Sequence, residues 1–374
     1  MCVHRPNDEQ ALGALISDAA AAGRKLELRA GGSKAQIGWR AGIADIVDMS
    51  AFAGIVDYDP AELVLTVRPA TPLAEVEALV AADRQMLGFE PFDHGPIFGA
   101  QSGHATIGGV IAAGVAGSAR PFRGGARDHL LGFRAISGRG EAFVGGAEVV
   151  KNVTGYDLPK IIAGSWGRLA ALTELTVKVL PVPRETSSFA VVGLDPGRAY
   201  RAMARVQGST ADVSGAAFIP MQAGAPSRTV FRLQGARPSI DARTETLRAA
   251  LADFGATDEI DGDVWETMRT LAPLREQAVL WRVSLPPKSF AAFVERLDRP
   301  WLADWGGGLV WLGGGDAEPV RGAAELLDGK AMLIRGGGAP TFHPQPAMLA
   351  RLEERVRRAF DPAGIFETGR FDAH

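Results

Sequence analysis

Cysteine is almost absent: Cys2 is the only one among 374 residues. A disulfide framework, a cysteine zinc site and an iron–sulfur cluster held by this chain alone are thereby excluded. A lone thiol accords with a reducing cytosol. A surplus of positive charge is also lacking. Lys and Arg number 40 against 43 Asp and Glu, a formal net charge of −3. No basic cluster stands out, so nucleic acid is not an expected partner. The histidines show no i, i+4 zinc spacing. The usual nucleotide signatures are missing as well. Gly329-Lys330 runs on into Ala331 rather than Ser or Thr, so there is no Walker A loop. No G-x-G-x-x-G follows a strand signal. The nearest approach to a nucleophile elbow, Gly164-Ser165-Trp166-Gly167, is one residue too short.

Long apolar runs are equally scarce. The N-terminal stretch is broken by Asp18 and reads as a helix rather than a signal peptide. Between Gly95 and Ala119 there is no Asp, Glu, Lys or Arg. That length could span a bilayer. Pro96, Gln101, Ser102, His104 and Thr106 lie within it, so a buried glycine-rich loop and helix beside a ligand is expected, not a transmembrane segment.

What the chain does have is glycine: 46 residues, about 12% against an average near 7%. There is no Gly-X-Y period. Hydrophobic residues make up 47% and charged residues 22%, enough for packed cores and, at this length, about two to three domains. Periodicity predicts a helix over 7–22 capped by Asn7, with Leu12, Leu15, Ile16 and Ala19 on one face. Strands are expected at 25–30, 45–49 and 63–67, then a helix opened by Thr71-Pro72. Strand signals follow at 130–136, 142–144 and 171–180. Pro181-Val182-Pro183 marks the first boundary. Residues 183–342 alternate strand and helix signals as a separate α+β domain. Their triple-glycine runs at 306–308, 313–315 and 336–338 read as plain turns. The remainder, 343–374, is a helix over 346–359 and the run FDPAGIFETGRF (Phe360–Phe371).

Within the first 182 residues the glycines fall into three clusters. RAGGSKA (Arg29–Ala35) follows a strand. Successive backbone N–H groups in such a turn form a concave anion nest, and Ser33 and Lys34 add a hydroxyl and a charge. A diphosphate suits it. ATIGGVIAAGVAGSARPFRGGARD (Ala105–Asp128) has almost no side-chain bulk, which suits a flat or extended ligand lying on the backbone. KNVTGYD (Lys151–Asp157), followed by Gly164 and Gly167, is the third.

In order and spacing these elements resemble the FAD-binding domain of the vanillyl-alcohol oxidase and p-cresol methylhydroxylase superfamily. The final run resembles that superfamily's closing segment, which returns to the flavin domain after a cap domain. QMLGFEP (Gln85–Pro91), KNVTGYD and the modest length are most similar to the FAD-binding E subunits of bacterial glycolate oxidases. The likeness covers 6–182 and the tail, and is weak between them. It implies an α+β fold: a two-part FAD-binding domain (1–182), an α+β cap domain (183–342) and a C-terminal tail (343–374).

The resemblance also implies site residues. Arg29, Gly31, Gly32, Ser33 and Lys34 match the diphosphate loop. Ala105, Thr106, Ile107, Gly108 and Gly109 match the segment that closes over it. Gly114, Gly117, Ser118, Arg127 and Asp128 match the stretch running toward the ribityl chain and ring. Gly155, Tyr156 and Asp157 match the segment near the flavin. Gly164, Gly167, Leu172 and Glu174 match the adenine end, and Gly369 the tail glycine. Some members tether FAD through His or Cys; Ser33 stands in the first loop and Cys2 is the lone thiol, so non-covalent FAD is expected.

Glycolate oxidation is the implied activity. A 2-hydroxy acid gives a hydride to the flavin while a base takes the hydroxyl proton. His343 is the candidate base, and Arg335 and Arg370 are candidate carboxylate clamps. Two roles stay open: a catalytic flavoenzyme, or a FAD-bearing electron-transfer or assembly subunit. A stand-alone oxidoreductase acting on another 2-hydroxy acid such as D-lactate is a further alternative. The implied partners are a related FAD subunit and an iron–sulfur subunit. The implied location is cytoplasmic, with peripheral membrane association through those partners.

Overall fold

The computed structural model describes residues 2–38, 44–146, 156–222 and 224–371. The chain divides into two compact units. One comprises 1–116, 124–182 and 344–374; the other comprises 117–123 and 183–343. The tail therefore belongs to the first unit. The short segment 117–123, read from sequence as part of the flavin domain, belongs to the second.

In the first unit a helix runs from Glu9 to Ala21. Asp8, not Asn7, caps it: the Asp8 carboxylate accepts from Ala11 N at 2.7 Å. Strands Val3–His4, Asp45–Asp48 and Leu26–Arg29 form a parallel sheet with Asp45–Asp48 in the middle. Leu12, Ile16 and Ala19 on the inner helix face pack on Leu26 and Val47 of that sheet. Burying each large aliphatic side chain here contributes about 1.5–3 kcal/mol.

A five-stranded antiparallel sheet completes the unit. Its order is Ile55–Asp59, Val64–Val67, Ala170–Lys178, Leu130–Ser137, Ala142–Gly146. The expected helix after Thr71-Pro72 spans Leu73–Ala82. Thr71 is not its cap; the Thr71 hydroxyl binds Arg68 O at 2.7 Å and accepts from Gly54 N at 2.9 Å.

The glycine-rich stretch yields one short helix, Ile107–Ala113, capped by Thr106 and ended by Gly114 at φ 63°. Glycine lowers helix propensity by about 1 kcal/mol per residue, so this helix rests on tertiary contacts. No helix among the described residues is long and apolar enough to cross a membrane.

The second unit is an eight-stranded antiparallel sheet: Asp258–Ile260, Glu185–Val192, Arg228–Gly235, Gly215–Ile219, Trp301–Asp304, Leu309–Gly313, Leu280–Ser284, Lys330–Arg335. Helices Pro196–Gln207, Arg237–Leu251, Phe290–Glu295 and Ala317–Glu325 contribute to its apolar core. Phe189, Phe218, Phe231, Phe290 and Phe293 form the centre of that core. Separate β and α runs joined this way make the chain an α+β protein.

Candidate cofactor site

A cleft opens in the first unit between the strand Leu26–Arg29, the helix Ile107–Ala113 and the returning tail. Arg29, Gly31, Gly32, Ser33, Lys34, Thr106, Gly108, Gly109, Gly167, Leu172 and Arg370 line it. The sequence had singled out all of these.

The strand delivers the chain into the loop 31–34, whose shape depends on glycine. A Cβ on Gly31 would sit 1.9 Å from His104 O. Only glycine allows the first loop to lie against the second cluster so closely. Gly32 has φ 74°, and the direction a Cβ would take is empty. Among the described residues no hydrogen bond takes up the amides of Gly32, Ser33 or Lys34. They form a nest of donors.

Lys34 lies beside that nest, its ammonium 3.4 Å from Ser33 Oγ. Desolvation pushes it down to about 8, and the Asp93 charge opposes this only in part. A desolvated cation beside unspent amides favours an anion there.

The helix Ile107–Ala113 contributes a wall rather than an anion site. Ile107 N donates to Thr71 O, Gly108 N to Pro69 O, and Gly109 N to Thr106 Oγ1. The first two bonds fix it to the turn after Val64–Val67. Gly108 is packed on Pro69, where a Cβ would fall 2.4 Å from the proline ring. Gly109 faces Thr106 Oγ1 and Lys34 Nζ.

Several lining residues had no signal in the local sequence: Glu27, Met49, Pro69, Ala70, Trp166 and Phe371. Trp166 and Phe371 meet edge-on at 5.5 Å. They join the turn after the third cluster to the end of the tail, a pairing that no short motif records.

The remaining expected residues lie elsewhere. Ala105 and Ile107 are buried. Gly114 packs on Gly164, with 3.4 Å between a Cβ position and Gly164 Cα. Arg127 and Asp128 occupy a short helix in which Asp128 accepts from Gly125 N at 2.8 Å. Tyr156 is 87% exposed, and Asp157 pairs with Lys160 at 2.8 Å. Glu174 stands opposite Arg134 in the sheet. Gly369 turns the tail at φ 72°. Gly155 lies outside the described residues. Gly117 and Ser118 belong to the second unit. There Gly117 O accepts from Trp305 Nε1 at 2.9 Å and Ser118 Oγ donates to Asp304 at 2.7 Å.

The three residues chosen for catalysis all serve backbone groups. Arg370 donates to Ile37 O at 2.7 Å and to Lys34 O, and pairs with Glu27 at 3.3 Å. It straps the tail to the first loop. Arg335 donates to Leu274 O, Arg275 O and Gln277 O. His343 Nδ1 lies 3.3 Å from Ala331 N. An amide can only donate, so Nδ1 accepts and the ring proton sits on Nε2. Desolvation, then the Arg321 charge, lower the imidazole's pKa further. A ring with its lone pair so engaged is neutral, but it is not placed to take a proton.

The FAD binding domain family matches residues 1–146. The chain is 35% identical over 368 residues to the glycolate oxidase subunit GlcE of Escherichia coli K12, covering 97% of each. It is 30% identical over 146 residues to a D-lactate dehydrogenase of Anaerostipes hadrus, covering 39% of this chain and 29% of that one. The 4-ethylphenol oxidase of Gulosibacter chungangensis shares the fold with a TM-score of 0.69, covering 98% of this chain and 88% of that one at 14% identity. The glycine cradle, the fold and the end-to-end match to one relative agree: the chain belongs to the GlcE family of glycolate oxidase subunits, as an FAD-dependent oxidoreductase.

Proposed function

We propose that this chain is the FAD-bearing E-type subunit of a complex that oxidises glycolate to glyoxylate, and that the cleft of the first unit holds the cofactor's diphosphate. The carrying observation is the desolvated Lys34 beside the unspent amides of Gly32, Ser33 and Lys34. Bound there, FAD supplies a two-electron acceptor. The chain's own work is to neutralise the diphosphate with Lys34, to donate to it from the loop, and to hold the loop with Arg370. Gly109 keeps the wall free of side chains.

A second reading is favoured by the commitments of His343, Arg335 and Arg370. Their hydrogen bonds leave no positioned base for the hydroxyl proton among them. On that reading a related flavin subunit oxidises glycolate, and this chain carries electrons toward an iron–sulfur partner. The complex is then cytoplasmic and meets the membrane through its partners.

Anaerobic glycolate added to the purified chain and to the native complex separates the cases. The isolated chain is expected to be yellow, with about one non-covalent FAD. Bleaching of its flavin by glycolate alone makes it the oxidising subunit, whereas bleaching only in the complex makes it the relay. A colourless chain that takes up no added FAD overturns the cofactor assignment.

Lys34 gives the binding a pH signature. Free Lys34 loses its proton near pH 8, and an adjacent diphosphate holds that proton on. FAD affinity should therefore be level below pH 7 and fall above pH 8, approaching tenfold per unit. Lys34→Met should weaken FAD binding at pH 7 and flatten the profile. An unchanged slope in that variant would remove Lys34 from the diphosphate site.

A further inference from the structure

The second unit holds two arginines around one indole. Arg120 Cζ lies 4.4 Å from the centroid of Trp305, and Arg282 Cζ lies 5.1 Å from it. Among the described residues neither guanidinium forms an ion pair. Arg282 reaches only Ser284 Oγ, at 3.5 Å.

The sheet places Arg282 there. In Leu280–Ser284, Trp281 and Val283 face the apolar core, so Arg282 projects from the opposite face. Desolvation, with the charge of Arg120 acting in the same sense, lowers its pKa to about 10. Yet Arg282 keeps part of its surface open to solvent. A charge so disfavoured, with no carboxylate of the described residues paired to it, costs stability.

The indole is held in a strained turn. Trp305 has φ 56°, in the left-handed region. Asp304 accepts from Trp305 N at 2.7 Å and from Ser118 Oγ at 2.7 Å, while Trp305 Nε1 donates to Gly117 O at 2.9 Å. Three hydrogen bonds thus fix the turn and the segment that carries Arg120. Backbone strain of this kind costs about 1–3 kcal/mol and persists only where the surroundings impose it.

We propose that Arg120 and Arg282, set around the Trp305 ring, form a binding site for a small organic carboxylate of the size of a 2-hydroxy acid. Guanidinium forks match a carboxylate bidentately, and the indole face gives the short carbon chain an apolar floor. The choice of glycolate as probe rests on the proposed function; the site itself does not.

The test is calorimetric titration of the full-length, FAD-loaded protein with sodium glycolate, with glycolamide and inorganic phosphate run beside it. Wild type should bind glycolate and not glycolamide. Arg282→Met and Arg120→Met should each weaken glycolate binding by about tenfold or more, the usual weight of a charge-assisted hydrogen bond. Arg282→Met should also raise the thermal midpoint, because it removes an unpaired desolvated charge; this shows that the variant is folded. Equal glycolate affinity in wild type and Arg282→Met overturns the site. Phosphate binding tighter than glycolate overturns its assignment to carboxylates. Flavin content is measured on the same samples. A flavin-free wild type that still binds glycolate through the arginines sinks the cofactor assignment and leaves this site standing.

Discussion

Gly31→Ala should yield a folded chain that purifies without flavin. The added methyl would stand 1.9 Å from His104 O and 3.2 Å from Thr106 Cγ2. His104 is held through both chain neighbours: the Asp93 carboxylate accepts from Gly103 N at 2.9 Å and from Ala105 N at 3.4 Å. The first loop must therefore move, and with it the nest of amides and Lys34. A loss of about 100-fold in FAD affinity, or about 2.7 kcal/mol, is the expected scale.

Gly32→Asp should match that loss by another route. No atom obstructs a side chain at Gly32, so the carboxylate enters the space meant for an anion and repels it. Gly23→Ala is the control. Gly23 also has a positive φ, 64°, and open surroundings, so it tests backbone strain away from the cleft and should keep its flavin. The measurement is the flavin-to-protein ratio after desalting, followed by FAD titration. Stoichiometric flavin in Gly31→Ala would show that the loop does not hold the cofactor.

The same glycines explain how much of the molecule was legible in the sequence. Where two backbones must touch, as at Gly31 with His104 or Gly108 with Pro69, only glycine serves, so the contact leaves a mark in one residue. The first two clusters were readable for this reason. A loop and helix were expected within 95–119, but not the bounds Ile107–Ala113, because its glycines argue against a helix and its support comes from Pro69 and Thr71.

Trp166 and Phe371 were equally hidden. Each is an ordinary aromatic until the tail folds back beside Gly167. His343, Arg335 and Arg370 were picked by residue type near the closing segment, and type does not reveal where N–H groups are spent. Arg370 shows the consequence. Its guanidinium suits a carboxylate, but the carbonyls of Lys34 and Ile37 already occupy it. Conversely, Arg120 lies in the second glycine cluster and Arg282 in a segment with no motif, and only the sheet's alternation and the turn at Trp305 bring them to one ring.

Phe366→Ala should destabilise the first unit by about 3–5 kcal/mol, the usual cost of emptying a buried aromatic site. Ile365 and Phe366 are 0% and 4% exposed, in one cluster with Leu12, Ile16, Leu26, Val47, Ile136 and Ala171. The tail therefore closes the core that the N-terminal helix and the parallel sheet begin. Polar groups hold it in place. The Asp361 carboxylate accepts from Ile365 N at 3.0 Å and Phe366 N at 2.9 Å. Lys25 donates to Gly364 O at 2.6 Å. Arg168 grips Glu367 with both arms, at 2.9 and 2.7 Å. Since Arg370 and Phe371 follow directly and line the cleft, losing the anchor should also loosen FAD. In thermal unfolding of the flavin-free protein, the transition of this unit should drop by about 10 °C. Met348→Ala, on the outer face of the helix Ala347–Phe360 and 79% exposed, should move it by less than about 0.5 kcal/mol. A Phe366→Ala loss as small as that control's would place the tail outside the core.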